Sequence, residues 1–233
     1  MEREGVPPDD IAERKRLVPR LQERLAYAVR DLHAAPVVHR KGAQALADSG
    51  HAASRASTDT APDHSPVAPI RIRPAEDIED LTSAAFASHR KTVMALLPNA
   101  DVEQVGATAV PGALTKGDVD VLVRVSEADF SAAIEILRSR YTVHQPHNWT
   151  STLASFKDPT ASDPEVGVQL VVSGSSDDCL FGPFRDALIR DANLLAEYNG
   201  LKKRLDGADY DRYTERKAKF IERVLCAIQR PGR

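Results

Sequence analysis

The chain of 233 residues is long enough for one domain of ordinary size with an appendage, or for two small domains. Its 42% hydrophobic and 28% charged residues are typical of a soluble globular protein, and its net charge of −3 gives no global field that would attract nucleic acid or an anionic membrane. Because two cysteines cannot form a disulfide framework and no apolar run approaches the roughly 18 residues of a membrane span, we expect a cytoplasmic protein with no membrane or nucleic-acid partner.

The first third of the chain has the composition of an appendage. Apolar residues at mixed three-, four- and six-residue spacings predict an amphipathic helix over residues 10–34, with Pro19 as a kink or break. Residues 48–69 are rich in Ala, Ser, Asp and Pro, so their burial cannot offset the entropy of ordering them and we predict a disordered linker. The predicted divisions are therefore a helical appendage at 1–47, this linker, and a folded domain at 70–230. Whether the helix packs on the domain, binds a partner or frays stays open.

From residue 70 onward, strand-like and helix-like segments are mixed. Strands are predicted over 70–72, 102–105, 119–125, around 141–143 and 153–156, and over 166–172. Helices are predicted over 76–97, 127–140 and 183–205, and from about 211 to the end of the domain. Ser126 is a good N-cap for the second of these helices, and Pro183 suits the first turn of the third. The fold class is therefore α/β (α+β) with a helical C-terminal third, and the sheet order stays open.

A small-residue turn followed by an Asp-x-Asp pair is the place where the sequence suggests chemistry. The turn is Gly106-Ala107-Thr108, and the pair is Asp118 and Asp120 at the start of a valine-rich run. In a strand, residues i and i+2 point to the same side, which puts the two carboxylates about 7 Å apart on one face. Such a pair can share one or two hard cations, and a glycine turn can present N–H groups to a phosphate. The alternative is an exposed strand face without chemistry.

The residues around this turn resemble the motif of one protein family. The string Val-Gly-Ala-Thr-Ala-Val-Pro-Gly at 105–112, followed by Lys116 and Asp120, is similar to the motif of the GrpB family, whose domain is also fused to some bacterial dephospho-coenzyme A kinases. Further similarities follow in the family's order at Phe184-Arg185-Asp186, Glu197-Tyr198 with Leu201-Lys202, and Tyr213-Thr214-Glu215 with Lys217 and Phe220. The resemblance covers about residues 70–228 and implies a nucleotidyltransferase-like mixed sheet flanked by helices.

The resemblance also implies an activity and a set of site residues. It implies a Mg²⁺-dependent nucleotidyltransferase with an unknown acceptor, whose ligand is a nucleoside triphosphate or a related phosphate-containing small molecule. Asp118 and Asp120 would be the catalytic residues and would hold the Mg²⁺. The residues implied to bind nucleotide or phosphate are Gly106, Ala107, Thr108, Lys116, Gln169, Arg185, Lys202 and Lys217.

Three substitutions separate this sequence from the family's pattern. Gln104 and Ala107 stand where the family carries His and Ser, which removes a titratable group and a hydroxyl. Gln169 aligns with a histidine on the strand where a third carboxylate would normally be found, and a neutral amide supplies no ligand charge. Glu165 is the nearby substitute acid. The alternative function is therefore a non-catalytic nucleotide- or coenzyme-binding module with a degenerate site, and a third hypothesis is an interaction protein that acts through its N-terminal helix.

Overall fold

The computed structural model describes residues 69–160 and 163–228. The predicted helix at 10–34, the appendage at 1–47 and all but the last residue of the linker at 48–69 lie outside the described residues. The strands are β1 (Arg73–Pro74), β2 (Asp101–Val105), β3 (Leu114–Thr115), β4 (Val119–Val125), β5 (Thr142–His144), β6 (Leu153–Lys157) and β7 (Val166–Val172). The helices are α1 (Glu79–Leu96), α2 (Glu127–Arg138), α3 (Gly182–Arg190), α4 (Ala192–Arg204) and α5 (Tyr210–Ile228).

Five of these strands form one mixed sheet in the order β2-β4-β7-β6-β5. The central pair, β4 and β7, runs parallel, whereas β2, β6 and β5 each pair antiparallel with their neighbour. Strands β1 and β3 form a separate two-stranded antiparallel ribbon. The bounds of β4 and β7 agree with the predicted strands because both are valine-rich runs, which are typical of strands buried on both faces. The mixed sheet flanked by helices, with a helical C-terminal third, confirms the predicted fold class.

One face of the sheet packs against α1 and α2. The odd-numbered valines of β4 are buried in this core with Val93 of α1 and with Phe130 and Leu137 of α2. Helix α2 begins where the sequence predicted, because the side chain of Ser126 accepts a hydrogen bond from the backbone N–H of Asp129 at 3.2 Å. Alternation along β4 therefore directs Asp120 to the opposite face of the sheet.

The opposite face is partly covered by the three C-terminal helices. Their own core surrounds Tyr198 and Phe220, whose ring centroids lie 5.1 Å apart, and it includes Val110 from the segment between β2 and β3. None of the helices in the described ranges is long and apolar enough to cross a membrane. The site described below lies where α5 passes over the sheet.

Two of the predicted elements are wrong in detail. Residues 70–72 do not form a strand, because Ile70 exchanges backbone hydrogen bonds with residues 207 and 208, and the N–H of Ile72 donates to Asp206 Oδ1 at 2.9 Å. The helix predicted over 183–205 is broken into α3 and α4 at Asp191. The carboxylate of Asp191 accepts hydrogen bonds from the N–H groups of residues 193 and 194, and so starts a new helix.

A buried polar cluster joins α1 to the ends of α2 and β6. His89, which is 8% exposed, places Nδ1 2.9 Å from the hydroxyl of Tyr141 and Nε2 3.2 Å from Asp158 Oδ2. Asp158 Oδ1 also accepts from Arg140 Nη1 at 3.2 Å and from the N–H of Thr160 at 3.0 Å. Burial lowers the pKa of His89 more than the carboxylate of Asp158 raises it. The neutral ring satisfies both contacts, since Nε2–H donates to the carboxylate and Nδ1 accepts from the hydroxyl.

We expect this histidine to make the stability of the domain sensitive to mildly acidic pH. Because the folded-state pKa of His89 lies below its unfolded value of about 6.5, the unfolded chain binds the proton first. The stability is therefore complete above about pH 6.5 and is lost as the pH falls through the folded-state pKa. His89→Gln should cost about 1 kcal/mol at about pH 7.5 through its lost hydrogen bonds, and should flatten the decline towards about pH 5.5.

Urea unfolding of both proteins at the two pH values measures this difference. His147→Gln is the matched control, because His147 is exposed. A decline that is as steep in His89→Gln as in the wild type would contradict the assignment.

Candidate functional site

A cleft of about 460 Å³ lies between α5 and the edge of the sheet where β4 and β7 begin. Its volume is in the range of small-molecule sites. The sheet and its connections contribute Lys116, Asp118, Asp120, His144, Gln145, Lys157, Glu165, Val166, Gly167 and Gln169. Helix α5 contributes Tyr210, Tyr213, Thr214, Lys217, Ala218 and Ile221. The cleft therefore combines carboxylates, ammonium groups and aromatic rings.

Two glycines lie beside the carboxylate of Asp120, and one of them leaves no room for a side chain. Asp120 lies opposite Val105 on β2 and opposite Gly167 on β7. Gly106 follows Val105 and has a φ of +75° and a ψ of −168°, a conformation that is essentially restricted to glycine. A Cβ atom at Gly106 would lie 2.1 Å from Asp120 Oδ2, and one at Gly167 would lie 3.6 Å from Asp120 Oδ1. The carboxylate thus fits only because Gly106 carries no side chain, whereas a Cβ at Gly167 would make an ordinary van der Waals contact.

The charges around the two aspartates differ. Lys116 Nζ lies 3.3 Å from Asp118 Oδ2, whereas the Asp120 carboxylate forms neither a hydrogen bond nor an ion pair with any described residue. Burial would raise the pKa of Asp118, but Lys116 and Lys217 hold it below its usual value. Burial and the charge of Asp118 raise the pKa of Asp120 to about 6. Two carboxylates that repel one another in a recess have an electrostatic preference for a cation between them.

Lys217 is the cation of α5 that faces this pair. Burial alone would lower its pKa, but two neighbouring tyrosines and the carboxylates of Asp118 and Asp120 hold that pKa well above its usual value. Lys217 is therefore charged at neutral pH in a cleft that an anionic ligand can enter.

Gln169, at the position of a third carboxylate, and Glu165, the nearby substitute acid, have partners of their own. Ser155 Oγ donates a hydrogen bond to Gln169 Oε1 at 2.6 Å. Glu165 Oε1 accepts from Lys157 Nζ at 2.8 Å, and Glu165 Oε2 lies 3.8 Å from Lys116 Nζ. Glu165 lines the cleft, as its position at the start of β7 suggested, but its charge is already balanced by lysines.

Thr108 holds the glycine turn against the start of β4. Its hydroxyl donates to the backbone carbonyl of Asp118 at 3.0 Å and accepts from Gln104 Nε2 at 3.2 Å. Thr108 lines a different, smaller recess, and neither it nor Ala107 is part of the lining of the main cleft. The residues of the turn thus fix the backbone beside Asp118, with Gly106 alone against Asp120.

Arg185 lies away from the cleft. Its Nη1 donates to Glu103 Oε2 and to the carbonyl oxygen of Gln104, each at 2.8 Å, and its Nε donates to Asp186 Oδ1 at 2.8 Å. These contacts fasten α3 to β2. The structure places this guanidinium at a helix–sheet contact and outside the lining of the cleft.

Lys202 is also turned inward, into the core of the C-terminal helices. It is 1% exposed, its Nζ donates to the carbonyl oxygen of Leu114, and the ammonium lies 4.2 Å from the ring centroid of Tyr198. Burial and the charge of Lys217 lower the pKa of Lys202 to about 7. Its side chain therefore contacts Leu114 and Tyr198 and does not line the cleft.

The structure brings together five of the predicted site residues, namely Lys116, Asp118, Asp120, Gln169 and Lys217. Gly106 lies behind Asp120, whereas Ala107, Thr108, Arg185 and Lys202 do not line the cleft. The ligand-binding roles of all these residues stay predictions.

Several cleft residues were missed by the sequence analysis. Lys157 enters because β6 pairs antiparallel with β7, which places it opposite Gly167, and the sheet order was not predicted. On α5, the lining residues follow a spacing of three and four from Tyr210 to Ile221, which is one stripe of a helix. Extending that stripe from Lys217 would have identified Tyr210 and Thr214.

Asp118 and Asp120 fit a Mg²⁺ ion that takes its remaining ligands from water and phosphate. No group of three or more His, Cys, Asp or Glu side chains that could hold a metal ion is found among the described residues. Mg²⁺, however, is usually bound by one or two carboxylates together with water and ligand phosphates. Asp120 has unpartnered carboxylate oxygens and Asp118 has one lysine partner, so the pair fits a cation that is shared with a phosphate.

Comparisons with known proteins agree on one family. The family model described as GrpB protein matches residues 76–226. A UPF0157 protein of Vibrio cholerae serotype O1 is 32% identical over 140 residues, which cover 60% of this chain and 73% of that protein. A UPF0157 protein of Deinococcus radiodurans is 32% identical over 145 residues, which cover 61% of this chain and 75% of that protein. The crystal structure of conserved protein GrpB from Enterococcus faecalis aligns with a TM-score of 0.54 at 20% identity, over 67% of this chain and 98% of that one.

Proposed function

The chain belongs to the GrpB family, and from that premise we propose that its cleft binds a nucleoside triphosphate with Mg²⁺ and transfers the nucleotidyl group to an acceptor. The observation that carries this proposal is the recessed pair Asp118 and Asp120, which faces Lys217 across a cleft of about 460 Å³. A carboxylate pair opposite an ammonium group matches a metal–phosphate ligand, because the cation would neutralise the acids while the ammonium attracts the phosphates.

Each charged residue has a role in this proposal. Asp118 and Asp120 would hold Mg²⁺, which when bound would draw charge from the phosphate oxygens and lower the pKa of an acceptor hydroxyl. Lys217 Nζ attracts and orients the phosphate chain from α5, and Lys116 does so from the segment before β4. In the transfer, the acceptor oxygen bonds to the α-phosphorus, the bond to pyrophosphate breaks, and the hydroxyl proton passes to solvent.

A second function is a non-catalytic nucleotide- or coenzyme-binding module. The specific observation in its favour is the third position of the site, where Gln169 is a neutral amide held by Ser155. Glu165, the nearest other acid, is paired with Lys157 and lies close to Lys116. A module of this kind would retain the phosphate-binding lysines without supporting transfer.

A thermal-shift experiment with the four nucleoside triphosphates, with and without Mg²⁺, tests metal–nucleotide binding. A ligand at about 100 times its Kd should stabilise the wild type by about 2.7 kcal/mol. Asp118→Asn and Asp120→Asn should each abolish the part of this stabilisation that requires Mg²⁺, because each removes an anionic ligand. Asp80→Asn is the matched control, since Asp80 is exposed on α1, and it should behave as the wild type does.

Release of pyrophosphate from the stabilising nucleotide then separates the two functions. Mg²⁺-dependent release that is lost in both aspartate variants supports transfer. Stabilisation that is indifferent to Mg²⁺ and to both substitutions supports the binding module. A wild type that no nucleotide stabilises would contradict nucleotidyl transfer and nucleotide binding.

A further inference from the structure

The contacts of Gln169 bear on how many cations the cleft can hold. We propose that the site takes a single divalent cation, at Asp118 and Asp120, and that Gln169 presents an N–H donor to the bound phosphate chain where a third carboxylate would recruit a second cation. This inference rests on the proposed function and adds the metal stoichiometry and a role for Ser155.

The register of the sheet places Gln169 beside the aspartate pair. Because β4 and β7 run parallel with Asp120 opposite Gly167, the residue two positions further along β7 lies on the same face. A Cβ atom built on Gly167 would lie 3.6 Å from Asp120 Oδ1 and 3.8 Å from Gln169 Nε2. The amide nitrogen and the carboxylate oxygen thus both lie within 4 Å of one point above Gly167, and Gln169 occupies the position from which a third ligand would come.

Ser155 determines which end of the amide faces that point. It lies directly opposite Gln169 on β6, it is 4% exposed, and its hydroxyl donates to Gln169 Oε1 at 2.6 Å. With Oε1 occupied, the group left towards Asp120 is Nε2, which carries two N–H donors and has no lone pair for a cation. The reverse orientation would set an amide oxygen against the Asp120 carboxylate, so two acceptors would face each other.

The charge balance of the cleft also opposes a second cation. Three lysines line it, and Glu165 is committed to two of them, at 2.8 Å from Lys157 Nζ and 3.8 Å from Lys116 Nζ. Of the two aspartates, Asp118 lies 3.3 Å from Lys116 Nζ, and Asp120 alone among the acids of the described cleft forms no ion pair. A second divalent ion would therefore lie beside lysines without a free carboxylate of its own, whereas one ion has both aspartates as ligands.

A single cation leaves part of the phosphate chain without a metal partner. Gln169 Nε2 lies on the sheet side of that space and Lys217 on the helix side. An amide donor contributes to phosphate binding without adding charge, which suits a recess already crowded with lysines. Ser155 then acts as a positioning residue, since it contacts Gln169 and not the ligand.

Metal counting on the full chain tests the proposal. Equilibrium gel filtration in buffer containing Mn²⁺ and the α,β-methylene analogue of each nucleoside triphosphate gives the number of Mn²⁺ ions bound per bound nucleotide. We expect one Mn²⁺ per nucleotide for the wild type and two for Gln169→Glu, because the introduced carboxylate completes a second site. Gln169→Met should keep one Mn²⁺ and weaken nucleotide binding by about tenfold through its lost donor.

A second pair of variants isolates the positioning role. Ser155→Ala should keep one Mn²⁺ and weaken nucleotide binding by about tenfold, and Ser155→Thr should restore the affinity because it keeps the hydroxyl. Two Mn²⁺ ions in the wild type, or one in a Gln169→Glu protein that melts as the wild type does, would overturn the inference while leaving the proposed function intact. A wild type without Mn²⁺-dependent nucleotide binding would instead reject the proposed function itself.

Discussion

Replacing Gly106 with alanine should remove a large part of the domain's free energy of unfolding. It should also abolish the stabilisation by nucleotide and Mg²⁺. The φ of +75° and ψ of −168° at this position cost an alanine about 1–3 kcal/mol in backbone strain. The new Cβ would also lie 2.1 Å from Asp120 Oδ2, 3.0 Å from its Cγ and 3.2 Å from its Cβ. Rotation of the carboxylate cannot relieve all three contacts, so overpacking adds about 1–3 kcal/mol and displaces the strand.

Urea unfolding at neutral pH measures the expected total loss of about 2–6 kcal/mol. Gly207→Ala is the matched control, because its φ is +77° and a Cβ there would have no heavy atom within 4 Å. The control should show backbone strain alone. Combining Gly106→Ala with Asp120→Ala should recover part of the loss, because the carboxylate is removed from the contact. Equal losses at the two glycines, or no recovery in the double variant, would contradict this account of the turn.

This glycine illustrates what the sequence could predict about the site. The motif pointed to Gly106 as a phosphate-binding turn residue, and its spacing from Asp120 placed both in one functional segment. The close approach between them arises because Asp120 lies opposite Val105 on a neighbouring strand, which is a statement about register. Strand register depends on long-range pairing and is weakly encoded in a local pattern. The residues were therefore predictable, and their contact was not.

The dependence on long-range packing also explains why some cationic site residues were predicted correctly and others were not. Lys217 was predicted by resemblance and lines the cleft, whereas Arg185 and Lys202, predicted on the same grounds, make internal contacts. All three lie on amphipathic helices, where a side chain at the boundary of the apolar stripe can face either the ligand or the core. Lys157 was missed for the complementary reason, because only the pairing of β6 with β7 brings it to the site.

Local sequence signals predicted the positions of strands and helices better than they predicted the break within a helical segment. The valine runs and the Ser126 cap located β4, β7 and α2, since each signal is contained within a few residues. The break at Asp191 lies inside an otherwise continuous helical pattern. An aspartate is tolerated in a helix but can also cap a new one, and the packing of α3 and α4 determines which occurs.

Arg124→Met should cost about 3 kcal/mol of unfolding free energy without altering the cleft. Arg124 lies on β4 and its side chain is 16% exposed. Its guanidinium pairs with Glu103, with Asp178 Oδ1 at 2.5 Å and with Asp101 Oδ2 at 3.0 Å. Burial opposes its charge, yet the hydrogen bonds that it donates to Asp178 and Glu103 hold its pKa above the usual value. Methionine keeps the apolar stem but leaves buried carboxylates without their main partner.

The size of this loss follows from which partners are buried. Asp178 is 15% exposed, so its charge is costly when unpaired, whereas Asp101 is 71% exposed and contributes little. Arg185 still contacts Glu103 at 2.8 Å and limits the damage there, which places the expected loss at the lower end of about 3–5 kcal/mol. Combining Arg124→Met with Asp178→Asn should recover part of the lost stability, because the unpaired carboxylate charge of Asp178 is then absent.

The control for this substitution is an exposed ion pair on α5. Lys219 pairs with Glu215 at 2.5 Å, with side chains that are 63% and 38% exposed, and Lys219→Met should leave the free energy of unfolding nearly unchanged. Arg124 is four residues along β4 from Asp120, about 13 Å away, so ligand stabilisation of the folded variant should match the wild type. Equal losses in the two variants would contradict the stabilising role of the ion pairs around Arg124. A large loss with an unchanged ligand response would instead separate the residues that stabilise this fold from those that form its cleft.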